Sequence, residues 1–91
     1  VPSSHSDTDE TQSEKNDRIY STIFAEEFET NRESVSGLSM ESTSMWDSLE
    51  HMYLIAALEE AFDVVFEPED VIAFDSFKAG RDILRSYGIE I

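Results

Sequence analysis

The sequence predicts a small all-α protein: a four-helix bundle of three main helices and one short helix. Three observations point that way. Apolar residues return at three-to-four spacing in three separate stretches. Each stretch opens beside a good capping residue, Asn16 or Asp17, then Asp47, then Asp75-Ser76. A proline and a glycine punctuate the rest, Pro68 at a helix start and Gly88 at a helix end. Ninety-one residues make one domain with a marginal core, in which every large side chain counts.

Residues 1–15 read VPSSHSDTDETQSEK, too polar to offset the entropy of ordering, and are expected to form a disordered N-terminal tail or linker ahead of a domain spanning 16–91. Val1 is not an initiator methionine, which fits a processed chain or one excised from a longer protein. Ile19, Ile23, Phe24 and Phe28, with Glu26, Glu27 and Glu29 among them, predict an amphipathic helix over about 17–30. Asn31 to Met45 is a serine-rich loop, and Val35, Leu38 and Met40 are the residues to anchor it on the core. The best helix of the chain runs from Ser48 to about Phe62. Asp63 to Pro68 breaks it, and Val65 or Phe66 plugs the core. A short helix opens at Pro68. The last helix is capped by Asp75-Ser76 and ends near Tyr87, with Phe77, Ile83, Leu84 and Tyr87 on its buried side. Gly80 weakens that helix by about 1 kcal/mol relative to alanine, which close helix packing would explain.

One serine stands out. In Met45-Trp46-Asp47-Ser48-Leu49-Glu50-His51 the loop turns into the best helix. Asp47 is the N-cap, and Glu50 completes an Asp-x-x-Glu version of the capping box. Ser48 falls in the first helical turn, near unpaired N–H groups and the positive end of the helix dipole, where a phosphate ester is electrostatically favoured.

On a wheel of about 100° per residue, Leu54, Ile55, Leu58 and Phe62 cluster on one side with His51 at the edge. Leu49, Met52, Tyr53 and Ala56 fall on the water side with Glu59 and Glu60. An apolar strip rimmed by Glu50, Glu59 and Glu60, starting beside Ser48, reads as a docking surface for partner proteins. The alternative is that the first helix covers it as ordinary core. Trp46 is expected to pack the loop onto the bundle just before the serine.

Several chemistries are excluded. Six basic against twenty-one acidic residues give a net charge of −15, which rules against nucleic acid and favours basic protein surfaces. A Ser–His–Asp nucleophile fails, because Asp47 and Ser48 are adjacent and there is no Gly-x-Ser-x-Gly elbow. A calcium loop from Asp63 fails, with Val65, Pro68 and Phe74 where ligands or glycine belong. No metal spacing emerges. Zero cysteines point to an intracellular, cytoplasmic protein, and no apolar run approaches the roughly 18 residues of a membrane span.

Asp47-Ser48-Leu49 followed by an amphipathic helix resembles the attachment site of acyl and peptidyl carrier proteins. The likeness covers about residues 17–87. Beyond the triplet it includes Leu54-x-x-x-Leu58-Glu59-Glu60-x-Phe62, the hydrophobic plug, the acidic short helix and Asp75-Ser76-Phe77 opening the last helix. The resemblance implies covalent 4′-phosphopantetheine on Ser48, added from coenzyme A by a magnesium-dependent phosphopantetheinyl transferase. It implies a monomeric, non-catalytic carrier that holds acyl or aminoacyl groups as thioesters. Loading enzymes would meet it along the helix after Ser48, with Trp46, Asp47, Leu49 and His51 flanking the attachment point. Met45 and Trp46 stand where fatty-acid carriers have Gly-x before the Asp-Ser-Leu, and Tyr53 stands where they have an acid. The pattern is closer to specialised carriers of lipid, polyketide, peptide or polysaccharide pathways. The competing expectation is an acidic helical adaptor for basic partners, with no prosthetic group.

Overall fold

The computed structural model describes residues 10–91, so residues 1–9 of the expected tail lie outside the described residues. Helix α1 spans Gln12–Glu27, α2 Ser48–Phe62, α3 Pro68–Ala73 and α4 Phe77–Ser86, with a 3₁₀ turn at Val35–Gly37. The only pairing of β type among the described residues is an isolated antiparallel bridge between Ser39 and Ser76. The all-α class and the order of elements agree with the sequence.

Helix α1 begins earlier than its apolar spacing implies, five residues ahead of Asp17. Thr11, not Asn16 or Asp17, is its cap. The Thr11 hydroxyl accepts from the Glu14 amide at 3.0 Å, and the Glu14 carboxylate accepts from the Thr11 amide at 2.9 Å. This reciprocal pair satisfies two amides that a helix start leaves open, so residues 12–15 are helix rather than tail. The far end is also earlier. Phe28 is the C-cap and Glu29 turns left-handed at φ 53°. The buried face differs as well: Tyr20 and Phe24 are fully buried, while Ile19 and Ile23 pack only partly against the core.

The long loop is anchored as its apolar residues predict. Val35 is buried in the 3₁₀ turn, and Leu38 and Met40 lie half-buried on the core. The Met40 amide donates to Asp75 O at 2.9 Å and the Phe77 amide to Leu38 O at 3.0 Å, which ties the loop to the start of α4. Of the two plug candidates it is Phe66 that enters the core, and Val65 is exposed.

The interior is largely aromatic. Phe24 lies at its centre, with ring centroids 4.8 Å from Tyr20, 4.9 Å from Phe77 and 5.6 Å from Trp46. Edge-on and tilted pairs at these distances contribute about 0.5–1.5 kcal/mol each beyond the area they bury. The Tyr20 hydroxyl donates to Phe77 O at 2.6 Å, so the one polar atom this ring carries inside is satisfied. Gly80 on α4 faces this cluster. A Cβ there would overlap the tip of the Phe74 ring and the Tyr20 hydroxyl, so α4 packs closely because residue 80 has no side chain.

Short polar ties close the bundle. The Tyr87 hydroxyl accepts from the Glu67 amide at 2.7 Å and donates to the Asp70 carboxylate at 2.6 Å, holding α3 against the end of α4. The buried Asn16 side chain donates to Glu90 O at 2.8 Å, and Arg81 pairs with Asp17. These contacts fasten the C-terminal residues to α1.

Candidate functional site at the start of α2

Helix α2 starts where its sequence says. Asp47 has extended backbone, and its carboxylate accepts from the Glu50 amide at 2.9 Å. The His51 amide donates to Asp47 O at 2.8 Å. Ser48 is the first helical residue and is exposed. The amides of Ser48 and Leu49 lie ahead of those bonds, in the turn where a helix N–H has no intrahelical partner. The arrangement gives a solvent-facing hydroxyl at the positive end of a helix of 15 residues.

The expected reciprocal half of the Asp47–Glu50 box does not form. The Asp47 amide donates instead to Met45 O at 3.0 Å. The Glu50 carboxyl turns inward toward α1, where its buried Oε2 has no hydrogen-bond partner. Burial pushes this carboxyl up to about 7, helped by the hydrogen-bonding carboxyl of Glu27 and by the charges of Glu27, Asp47 and Glu29.

Trp46 fastens the loop beneath the serine. Its ring is 2% exposed and packs on Phe24, Phe28 and Phe74. Its indole N–H donates to His51 Nδ1 at 2.9 Å, and His51 Nε2 lies 2.8 Å from Val71 O. Both ring nitrogens of His51 are therefore engaged inside the protein. No lone pair is left to take a proton from Ser48, so the geometry excludes a Ser–His nucleophile. His51 braces the site from within rather than facing the serine.

The strip along α2 lies open. Leu49, Met52 and Tyr53 are 63%, 56% and 57% exposed, and Ala56 is exposed beside them. Helix α1 does not cover these residues; the opposite face of α2, Leu54, Ile55, Leu58 and Phe62, is buried in the same core as Tyr20, Phe24 and Phe28 of α1 and its cap. The acidic rim is less uniform than the wheel implies. Glu60 is exposed. Glu59 is half-buried, and its Oε2 accepts from the Phe66 amide at 2.9 Å, so it caps the chain leaving α2. Glu50 faces α1. Of the three rim acids, only Glu60 stands free in water.

Sequence reasoning located Ser48, its cap and the strip, all of which depend on neighbours within two helical turns. It missed three features: the Trp46–His51–Val71 hydrogen bonds, the influence of Glu27 on the Glu50 carboxyl and the Glu59–Phe66 hydrogen bond. The first had a partial signal, a tryptophan and a histidine on either side of an N-cap. The second joins residues far apart in the chain and had none. Among the described residues, no group of three or more His, Asp or Glu side chains is placed to hold a metal, and no helix is long and apolar enough to cross a membrane. The chain matches no protein-family model and no curated protein.

Proposed function

We propose that this protein is a carrier whose Ser48 accepts 4′-phosphopantetheine, and that it moves acyl or aminoacyl thioesters between enzymes of a specialised lipid, polyketide, peptide or polysaccharide pathway. The observation that carries the reading is the position of Ser48: an exposed hydroxyl on the first residue of α2, after the Asp47 cap, at the head of an open apolar strip. A phosphodiester fits this place, because the helix dipole and the free first-turn amides favour its negative charge. The attached arm would leave directly into solvent, where partner enzymes can reach its thiol. The strip offers those partners Leu49, Met52, Tyr53 and Ala56 to bury, and the acidic surface draws basic faces toward it. The protein's own residues supply no catalyst in this reading; the transferase and the loading enzymes do the chemistry.

Incubation with coenzyme A and a broad-specificity phosphopantetheinyl transferase, followed by intact mass, tests the proposal. The expected result is one added phosphopantetheine on the wild type and none on Ser48→Ala, with both proteins equally helical by circular dichroism. An unmodified wild type would point instead to an acidic adaptor, and modification that survives Ser48→Ala would move the site to another serine.

A further inference from the structure

Trp46 lies two residues before Ser48, and His51 lies three residues after it. An indole N–H only donates, so the Nδ1 that faces it at 2.9 Å must hold a lone pair. The ring proton then sits on Nε2 and donates to Val71 O at 2.8 Å. The structure thus requires the neutral, Nε2-protonated imidazole. The ring is 8% exposed and lies against Trp46 with centroids 6.0 Å apart and planes at 29°. One imidazole therefore joins three elements around the serine: the loop through Trp46, α2 through its own backbone, and α3 through Val71. A proton on Nδ1 would set two donors facing each other, and the shortest escape is for Trp46 to leave.

We infer that His51 is a positioning residue for Ser48: neutral, it locks Trp46 and the loop-to-helix corner that presents the serine, and on protonation it releases that corner. The charged groups on the elements packed around the ring include the cap Asp47 and Glu50 at the start of α2, Glu69 and Asp70 on α3, and Glu27 at the end of α1. Asp70 is held by the Tyr87 hydroxyl, and the Glu50 carboxyl turns toward α1. The ring's remaining neighbours, Trp46 and Phe74, carry no charge. The two hydrogen bonds of the imidazole go to Trp46 and Val71 and not to these carboxylates. The lock itself is independent of what Ser48 carries; the positioning of the serine for transfer rests on the carrier reading.

The chain has a single tryptophan and two histidines, so His5→Gln leaves His51 as the sole imidazole and Trp46 as the sole indole. In that background the test follows Trp46 emission and the His51 ring signals by nuclear magnetic resonance through an acid titration. The expected result is a step in emission that tracks the titration of His51, with helicity unchanged. His51→Gln keeps an acceptor for Trp46 and a donor for Val71 at every pH, and should abolish the step. Flat emission while His51 titrates would overturn the lock, whether or not the glutamine variant folds. The second arm measures the rate of phosphopantetheine transfer to Ser48 in the histidine and glutamine proteins with the same transferase, so that its own pH profile cancels in the ratio. That ratio should fall about tenfold across the emission step, the scale of losing one orienting hydrogen bond. A constant ratio with the step present would overturn the positioning role. No transfer at any pH would overturn the carrier reading and leave the lock standing on its emission step.

Discussion

A methyl group at position 80 has no space to occupy, because Phe74 and the Tyr20 hydroxyl already fill it. Alanine would gain about 1 kcal/mol of helix propensity, but overpacking costs about 1–3 kcal/mol, and the Tyr20–Phe77 hydrogen bond lies in the path of the shift. Gly80→Ala is expected to lose about 1–2 kcal/mol of stability on these scales, read from urea unfolding; a gain would show that the Phe74 ring moves aside freely. Glu50 makes a different prediction. Its carboxyl titrates at about 7 in the folded protein against an ordinary 4.5, so the native state keeps a proton that the unfolded chain releases. The contribution is fully present below about pH 4.5 and is lost as pH rises through about 7. Glu50→Gln should therefore melt higher than the wild type above pH 7, with the difference vanishing in acid. Equal melting temperatures at pH 8 would mean that burial does not hold the Glu50 carboxyl protonated.

At the scale of elements, α2 was legible to the residue because its cap and its apolar face begin together at Asp47. Helix α1 was not, for a physical reason. Periodicity reports where a helix is buried, and the first turn of α1 is exposed on every side. Its start is written in Thr11-Gln12-Ser13-Glu14, a capping box inside a polar stretch. Thr11→Ala should cost about 0.5–2 kcal/mol, measured by thermal unfolding, and removing residues 1–14 should cost at least as much because both partners of the box go. An unaffected melting temperature would place the folding boundary nearer residue 16, as the apolar spacing alone implies. The same reasoning explains Tyr20. An aromatic flanked by Ile19 and Ser21 gives no local hint that it, rather than Ile19, points inward; the choice is made by Phe77 and Gly80 on α4, far along the chain.

For the molecule as a whole, the net charge of −15 and the open strip on α2 act together. Charge sets the rate of encounter, and the apolar residues set how long a complex lasts. On the carrier reading proposed above, Tyr53→Ala should slow phosphopantetheine transfer to Ser48 at every salt concentration while leaving helicity intact. Glu60→Lys should slow it mainly at low ionic strength, where the Debye length exceeds about 10 Å. Glu59 is the wrong place for that experiment, since its carboxylate caps the Phe66 amide and reversal would also disturb the fold. A Tyr53→Ala protein that melts would mean that this side chain supports the core, and an unchanged Glu60→Lys rate at low salt would put the docking face elsewhere. The site was readable in sequence as far as it is local. Ser48, Asp47 and the strip lie within one helix and its cap, while the braces beneath them run between helices and become visible only when the chain is folded.

The rings gathered about Phe24 have a magnetic consequence. Circulating π electrons in Tyr20, Phe24, Trp46, Phe74 and Phe77 shield nuclei held above their faces, and Leu54, Leu58 and Leu84 are fully buried in the same core. Methyl protons fixed above the faces of such rings resonate upfield of any methyl in a disordered chain. A one-dimensional proton spectrum of the unlabelled protein should therefore carry its own fingerprint of the native interior. Those peaks would disappear when the aromatic cluster loosens, even in a state that keeps all four helices.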